Sequence, residues 1–380
     1  MSAEVCVVTA YPPGRKELGG GGWVDRRLLA ALEASGTSVD LVTVTGPEGR
    51  WTENGYSGSS AGSVPLEMRA DKLGLARVAA GMLYSAEPYL ARKFTVFGGW
   101  RQAVELLRAR AVGKPVLTSG WPALLLADAA GVPVAAHIAH NVESVIAEEH
   151  SPGPLRLLGE RVRLRRAERR LLGVPRAVFA LSRTDAAELR TWGLPAQALP
   201  LPLLPKQVDA TERPNTVGFI GKASWPPNAS ALQALLGPVH EALSAREVPV
   251  GYVLAGRGTE EFAGHQRVVS SGWVQDEAEF YTRVGLVVVP RFGASTGISV
   301  KMIEAAEHGV PAVVSRALAE AVDPEGPWIT ADDPLGIAEA IAKWSQVRDC
   351  ADVRAWVGAQ DLAVSGDTLN RALAFPASAQ

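Results

Sequence analysis

Cysteine is almost missing from this 380-residue chain, with only Cys6 and Cys350 present. They stand at opposite ends, the first inside an apolar run, which excludes a disulfide framework and points to a reducing compartment. The 6 histidines are scattered without ligand spacing, so no metal cage is expected. Long apolar runs are lacking too: "PALLLADAAGVPVAAHIAH" is broken by Asp128, Gly131 and Pro133 and does not suit an uninterrupted bilayer span. The start "MSAEVCVVTAYPP" has no basic segment, extended apolar stretch or cleavage site of a signal peptide, so the expected location is cytoplasmic. Net charge is nearly absent at −2, excluding global attraction to nucleic acid or an anionic membrane. A 47% hydrophobic and 21% charged composition excludes a disordered chain. The abundance of Ala, Arg and Gly suits a GC-rich bacterial source.

What is present is a repeated strand-helix rhythm. "EVCVVTAY" reads as a strand buried on both faces, followed by the loop "PPGRKELGGGG", the amphipathic helix "WVDRRLLAALEASG" and the strand "SVDLVTV". "PVLTS", "ALLLADAAG", "PVAAHIAH", an arginine-rich helix near 155–172, "AVFALS" and a helix from Thr184-Asp185 continue it. The proline-rich "LPLPLLPKQVDATERP" reads as a linker. The rhythm then restarts with "TVGFIG", a single helix "NASALQALLGPVHEALSA", "VGYVLAG", "RVVSSGWV", "EAEFYTRVG", "LVVVP", "SVKMIEAAEHG" and "PAVVS". The fold class is therefore α/β, with parallel sheets covered on both faces. The expected domains are 1–200, a linker 201–214, a second domain 215–362, and a tail 363–380 returning to the first.

One stretch carries chemistry. In "GASTGISVKMIEAAEHGVP", a Gly-Ala-Ser-Thr-Gly turn precedes a helix with Lys301 and Glu304 three residues apart on one face. Free N–H groups at a helix start attract phosphate, a lysine neutralises it, and a carboxylate suits vicinal hydroxyls. That combination fits a nucleotide held by its diphosphate and ribose. In the first half, glycines run up to a helix start, where a ligand can approach the backbone closely. His140 and Asn141 follow an apolar strand, where open α/β sheets face their ligands, and His137 on the same strand is a core alternative. Asp25 and Glu17 flank the glycines as acceptor-contact candidates. A dinucleotide fingerprint competes, with Asp40 about twenty residues on, but a long insert separates its glycines from the first strand. Along "LRLLGERVRLRRAERRLL" (Arg156 to Arg170), Leu155, Leu158 and Val162 form an apolar stripe, giving a solvated helix with i,i+4 ion pairs to Glu160 and Glu168 or a peripheral membrane contact.

"VGFIGKASWPPNASALQAL", "VLAGRG" and "VSSGWVQDEAEFYTRVGLVVVPRFGASTGISVKMIEAAEHGVPAVVS", in that order, resemble the C-terminal domain of retaining GT-B glycosyltransferases of the family-four, sugar transferase group 1 type. "AHNVES" and "LSRTDAAELR" look like the N-terminal domain of that group. The resemblance implies two Rossmann-like domains facing a central cleft, acceptor-binding first and donor-binding second. It implies transfer of a hexosyl group from a nucleotide-diphosphate sugar to a hydroxyl acceptor (a glycan, lipid or natural product), with retention, no metal and no cofactor beyond the sugar nucleotide. Glu304 matches the second motif glutamate on the ribose. Ser295, Thr296, Gly297 and Ile298 match the turn at the donor diphosphate, with Lys301 beside it. Gly221 and Lys222 match the first cation position, and Trp273-Val274 the segment meeting the base. Gly19, Gly20, Gly21 and Gly22 match the loop under the transferred sugar, and His140 a histidine facing the acceptor. Catalysis would rest on His140, Lys222, Lys301 and Glu304. Thr296 stands where the family has its first glutamate, and Asn228 where a second cation would be, with Lys301 as the candidate replacement. An inverting reaction would need His140, Asp25 or Glu17 as base. A non-catalytic sugar-nucleotide-binding partner, or an epimerase or phosphorylase of this fold, are the other readings. No nucleic-acid partner is expected.

Overall fold

A computed structural model describes residues 4–14, 20–64, 72–95, 98–151, 153–206, 214–292 and 296–374. The chain divides into two compact units: Met1–Pro202 with Thr296–Ile298 and Leu362–Gln380, and Leu203–Ser295 with Ser299–Asp361.

The first unit holds eight strands: β1 (Glu4–Thr9), β2 (Ser38–Thr43), β3 (Gly49–Glu53), β4 (Tyr56–Ser60), β5 (Val116–Ser119), β6 (Ala136–Ala139), β7 (Ala177–Ala180) and β8 (Ala196–Ala198). Their order is β3-β4-β2-β1-β5-β6-β7-β8, parallel except for the antiparallel pair β3 and β4. That hairpin turns at Asn54 and Gly55, both with positive φ (47° and 83°), as a tight primed turn demands. Strands β1, β5, β6 and β7 are short apolar runs buried on both faces, as crossover helices require. Cys6, Val8, Val42, Val116 and Leu124 belong to the resulting core. Burial drives the Cys6 thiol up to about 12, so it packs as an inert hydrophobe.

The second unit holds β9 (Thr216–Ile220), β10 (Gly251–Ala255), β11 (Val268–Ser270), β12 (Leu286–Val289), β13 (Ala312–Val314) and β14 (Ile329–Thr330). The order β11-β10-β9-β12-β13-β14 is parallel throughout, the 3-2-1-4-5-6 arrangement of a Rossmann fold. Phe219, Leu254, Val288, Val313 and Trp344 lie in its core.

Several elements differ from the sequence reading. Gly20, Gly21 and Gly22 form the first turn of the helix Gly20–Ala34 instead of a loop before it, while Glu17 and Gly19 lie outside the described residues. The single helix expected from 228 to 245 is interrupted: Pro226–Ala234 passes through a wider turn at Leu235–Val239 into His240–Ala245. Pro238 lacks the N–H that would continue the ladder, and Gly237 takes a non-helical conformation there.

The arginine-rich segment is two helices, Gly153–Leu157 and Glu160–Leu172, parted by Gly159 at φ 71°. Val162 is exposed, and the buried face carries Glu160, Leu164, Glu168 and Leu171. The two glutamates are not ion-pair partners along the helix. Glu160 accepts from the N–H groups of Tyr89 and Leu90 at the start of the helix Tyr89–Thr95. Glu168 accepts from Glu143 and Ser144 at the start of the helix Glu143–His150 (2.6 and 3.0 Å). Each satisfies donors that a helix start leaves unpaired.

The helix Leu362–Leu373 packs on Gly20–Ala34 within the first unit. A Cβ at Gly366 would fall 2.2 Å from Ala31 O, so only glycine permits this approach. Asn370 fastens the contact, accepting from Thr37 Oγ1 (2.7 Å) and donating to Ser35 Oγ (2.9 Å). Among the described residues no helix is long and apolar enough to cross a membrane.

Candidate active site

In open parallel sheets ligands sit at the carboxyl ends of strands, where the strand order reverses. In the first unit that point lies between β1 and β5. Ser119 ends β5, His140 follows β6, and Asp25 projects from the helix after β1. Ser119 Oγ donates to Asp25 Oδ1 at 2.6 Å and lies 2.8 Å from His140 Nε2. Asp25 is 4% exposed, and burial raises its carboxyl to about 7, against the pull of the Ser119 hydrogen bond and Arg26. Burial lowers His140 to about 4, so its ring is neutral at pH 7. His137 is the buried neighbour, lowered to about 3, with Nδ1 2.8 Å from Thr118 Oγ1; it serves the core. A small pocket beside His140 is lined by Trp121, His137, Asn141, Glu143 and Glu168.

Asp185 anchors the other side of this unit. Its Oδ1 accepts from Thr296 Oγ1 (2.8 Å) and its Oδ2 from the Gly297 N–H (2.7 Å), while the Val142 N–H donates to Thr296 Oγ1 (2.7 Å). Gly297, at φ 73°, admits no side chain: a Cβ would lie 2.3 Å from Asn141 Oδ1 and 2.8 Å from His140 O. The free amide expected at Gly297 is thus occupied by a carboxylate, and the Thr296 hydroxyl is spent within the protein. Ile298 is half-buried beside them, and Ser295 lies outside the described residues. Glu143, Glu168 and Asp185 are each raised by burial, to about 8, 7 and 6.

In the second unit the strand order reverses between β9 and β12. Gly221 follows β9 with φ 152°, and a Cβ there would meet Asn228 Nδ2 at 2.7 Å and Lys301 Cε at 2.8 Å. Lys301, from the helix Val300–Glu307, donates from Nζ to Asn228 Oδ1 (2.7 Å), and Asn228 Nδ2 donates to the Lys222 carbonyl (2.9 Å). The ammonium of Lys301 therefore stands over the end of β9, 5.0 Å from the Phe219 ring centre, beside the exposed Lys222. Burial and the nearby Arg291 charge lower Lys301 to about 8, opposed by Glu304. Glu304 accepts from Tyr281 OH at 3.2 Å, and Tyr281 stacks on His308. Trp273 is 43% exposed with the Arg257 guanidinium 5.0 Å from its ring centre, and Val274 is half-buried. Gly256 touches the Gly221 backbone so closely that a Cβ would come within 2.3 Å of its carbonyl oxygen, which packs the ends of β9 and β10 together.

Asp40, the ribose partner of the dinucleotide reading, sits mid-strand in β2 opposite Cys6 and pairs with Arg110 and Lys114. It is a structural ion pair and not at a strand end. Ser119 and Asp185 are the site residues sequence reasoning missed. The rule that singled out His140, a polar residue at a strand's carboxyl end, applies equally to Ser119.

With this geometry in place, the matches fall on both units. The model "Glycosyl transferase 4-like domain" matches residues 19–203, and "Glycosyl transferases group 1" matches residues 214–346. Together they span most of the chain, which belongs to the group 1 glycosyltransferases and is an enzyme of that class. No curated protein sequence matches significantly. Among solved structures, sucrose-phosphate synthase from Thermosynechococcus elongatus superposes with a TM-score of 0.66 at 18% identity, covering 97% of this chain and 98% of that one. An α,α-trehalose-phosphate synthase from Burkholderia xenovorans, in complex with glucose-6-phosphate, gives 0.63 at 12% over 98% and 100%. Anabaena HepE, in complex with UDP and glucose, gives 0.63 at 12% over 98% and 99%. At such identities these neighbours speak for the fold, two Rossmann-like domains of the GT-B kind.

Proposed function

We propose that the protein transfers a hexosyl group from a nucleotide-diphosphate sugar to a hydroxyl acceptor, with retention and without a metal. The observation that carries this is the placement of Lys301 over the end of β9. Asn228, the residue standing where a second cation belongs, holds the Lys301 ammonium at that spot. Lys222 and Lys301 would then neutralise the leaving diphosphate as the anomeric carbon becomes cationic, the largest electrostatic need of the reaction. Glu304, kept in place by Tyr281, would take the ribose hydroxyls, and Gly221 leaves the room in which Asn228 and Lys301 meet. The Trp273-Val274 segment would meet the base. Gly20, Gly21, Gly22, Asp25, His140 and Asn141 would serve the sugar and acceptor. HepE was solved with UDP, so UDP is the first nucleotide to test.

One observation favours a second reading, a sugar-nucleotide-binding partner without catalysis. Thr296, in the place of the first motif glutamate, spends its hydroxyl on Asp185 and so offers the sugar little. Calorimetry with UDP, GDP, TDP and ADP, on the wild type and Glu304→Ala, tests donor binding. One diphosphate should bind selectively, and the substitution should weaken it by about 1–3 kcal/mol. Binding unaffected by the substitution would sink the donor-site reading. Slow hydrolysis of the matching sugar nucleotide separates enzyme from partner, and the anomeric coupling constant of the glycoside formed on an added hydroxyl acceptor reports retention.

A further inference from the structure

The contacts around His140 assign its protons. A hydroxyl has one proton, and Ser119 gives its own to Asp25 Oδ1. With the Asp25 carboxyl ionised, Ser119 Oγ can toward the imidazole only accept, so the 2.8 Å contact is Nε2–H donating to Oγ. A neutral imidazole carries a single N–H, which leaves Nδ1 with a lone pair. Nδ1 makes no hydrogen bond among the described residues. Two glycines lie beside it, since a Cβ would stand 3.5 Å from Nδ1 at Gly120 and 3.9 Å from it at Gly21. Neither of these two positions brings a side chain over that atom. The titratable groups facing the ring are Asp25, whose Oδ1 is 3.9 Å from Nε2, and neutral His137.

We propose that Ser119 is a positioning residue: anchored by Asp25, it fixes His140 in the Nε2–H form so that Nδ1 accepts a hydrogen bond from a sugar hydroxyl. A lone pair repels phosphate or carboxylate oxygens, so the group that docks there must bring a proton. The identity of that group rests on the glycosyltransferase reading above; the tautomer does not.

Long-range proton–nitrogen correlation spectra of the full chain, labelled with 15N-histidine, test this, with His140 assigned by its loss in His140→Gln. At pH 8.5, where Asp25 is ionised, the wild type should show a protonated Nε2 and an unprotonated Nδ1. Ser119→Ala should mix the two tautomers, whereas Ser119→Thr, which restores the hydroxyl, should keep one. A wild-type proton on Nδ1, or a Ser119→Ala spectrum identical to the wild type, overturns the role of Ser119. UDP-glucose, or whichever sugar nucleotide binds in calorimetry, should move Nδ1 toward its hydrogen-bonded position. If one binds and leaves Nδ1 unmoved, the hydroxyl assignment fails. If none binds, the donor reading is what fails, and the tautomer comparison still decides Ser119.

Discussion

Lys301 carries its charge where water is scarce and Arg291 is near, and its lowered value of about 8 follows. A diphosphate drawn to that ammonium favours the protonated form and raises the value again. Diphosphate affinity should therefore hold from pH 6.5 to 7.5 and fall as pH passes 8. At pH 8 binding should take up protons, visible as a heat that varies with buffer ionisation enthalpy. Lys301→Ala should weaken binding roughly 10- to 150-fold, the cost of about 1.5–3 kcal/mol for a hydrogen bond to a charged group, and abolish the proton uptake. Proton uptake that survives in Lys301→Ala would point to another titrating group. Lys301 and Glu304 are legible in sequence because three residues along a helix set their common face. The partnership of Lys301 with Asn228, 73 positions away, is not, because it exists only once β9 and the helix Val300–Glu307 pack.

Elements show the same division. Strands β1, β2, β5, β6, β7 and β9 to β13 could be read because each is a short apolar run between breakers. The β3–β4 hairpin went unread although Asn54-Gly55 announces it; its strands are half-polar and carry little apolar signal. The arginine-rich segment misled for a different reason. Its glutamates sit at spacings that suit arginines on the same helix, while their true partners are the starts of two other helices. Glu168→Ala would strand two N–H groups at the start of Glu143–His150 and should cost about 1–3 kcal/mol in denaturant unfolding. Glu148→Ala removes only a surface partner of Arg161 and should change stability by less than about 1 kcal/mol. Equal losses in the two variants would contradict the capping role.

For the whole molecule, buried carboxyls set the response to pH. Folded Asp25, Glu168 and Glu143 titrate near 7, 7 and 8, against ordinary values of 3.8 and 4.5 for their kinds. Between those values the folded state holds more protons than the unfolded one, so stability falls as pH rises and the loss is complete above about 8. His137 and His140, lowered by burial, act in the opposite sense, but only below the ordinary 6.5. From pH 6.5 to 7.5 these carboxyls dominate and Tm should drop, before the lowered Lys301 acts in the opposite sense from about 8 upward. Glu143→Gln should flatten that slope, and a Tm that climbs over the interval would refute the assignment.

The helix Leu362–Leu373 has a consequence for biosynthesis. Its partner, Gly20–Ala34, leaves the ribosome well before it, and the whole second unit is translated between them. At roughly 5–20 residues per second, the apolar face around Ala31 and Leu32 waits tens of seconds for its cover. The second unit can close on itself in that interval. The half made first is thus the half completed last, and a nascent chain stalled before Leu362 would present an unfinished surface to chaperones.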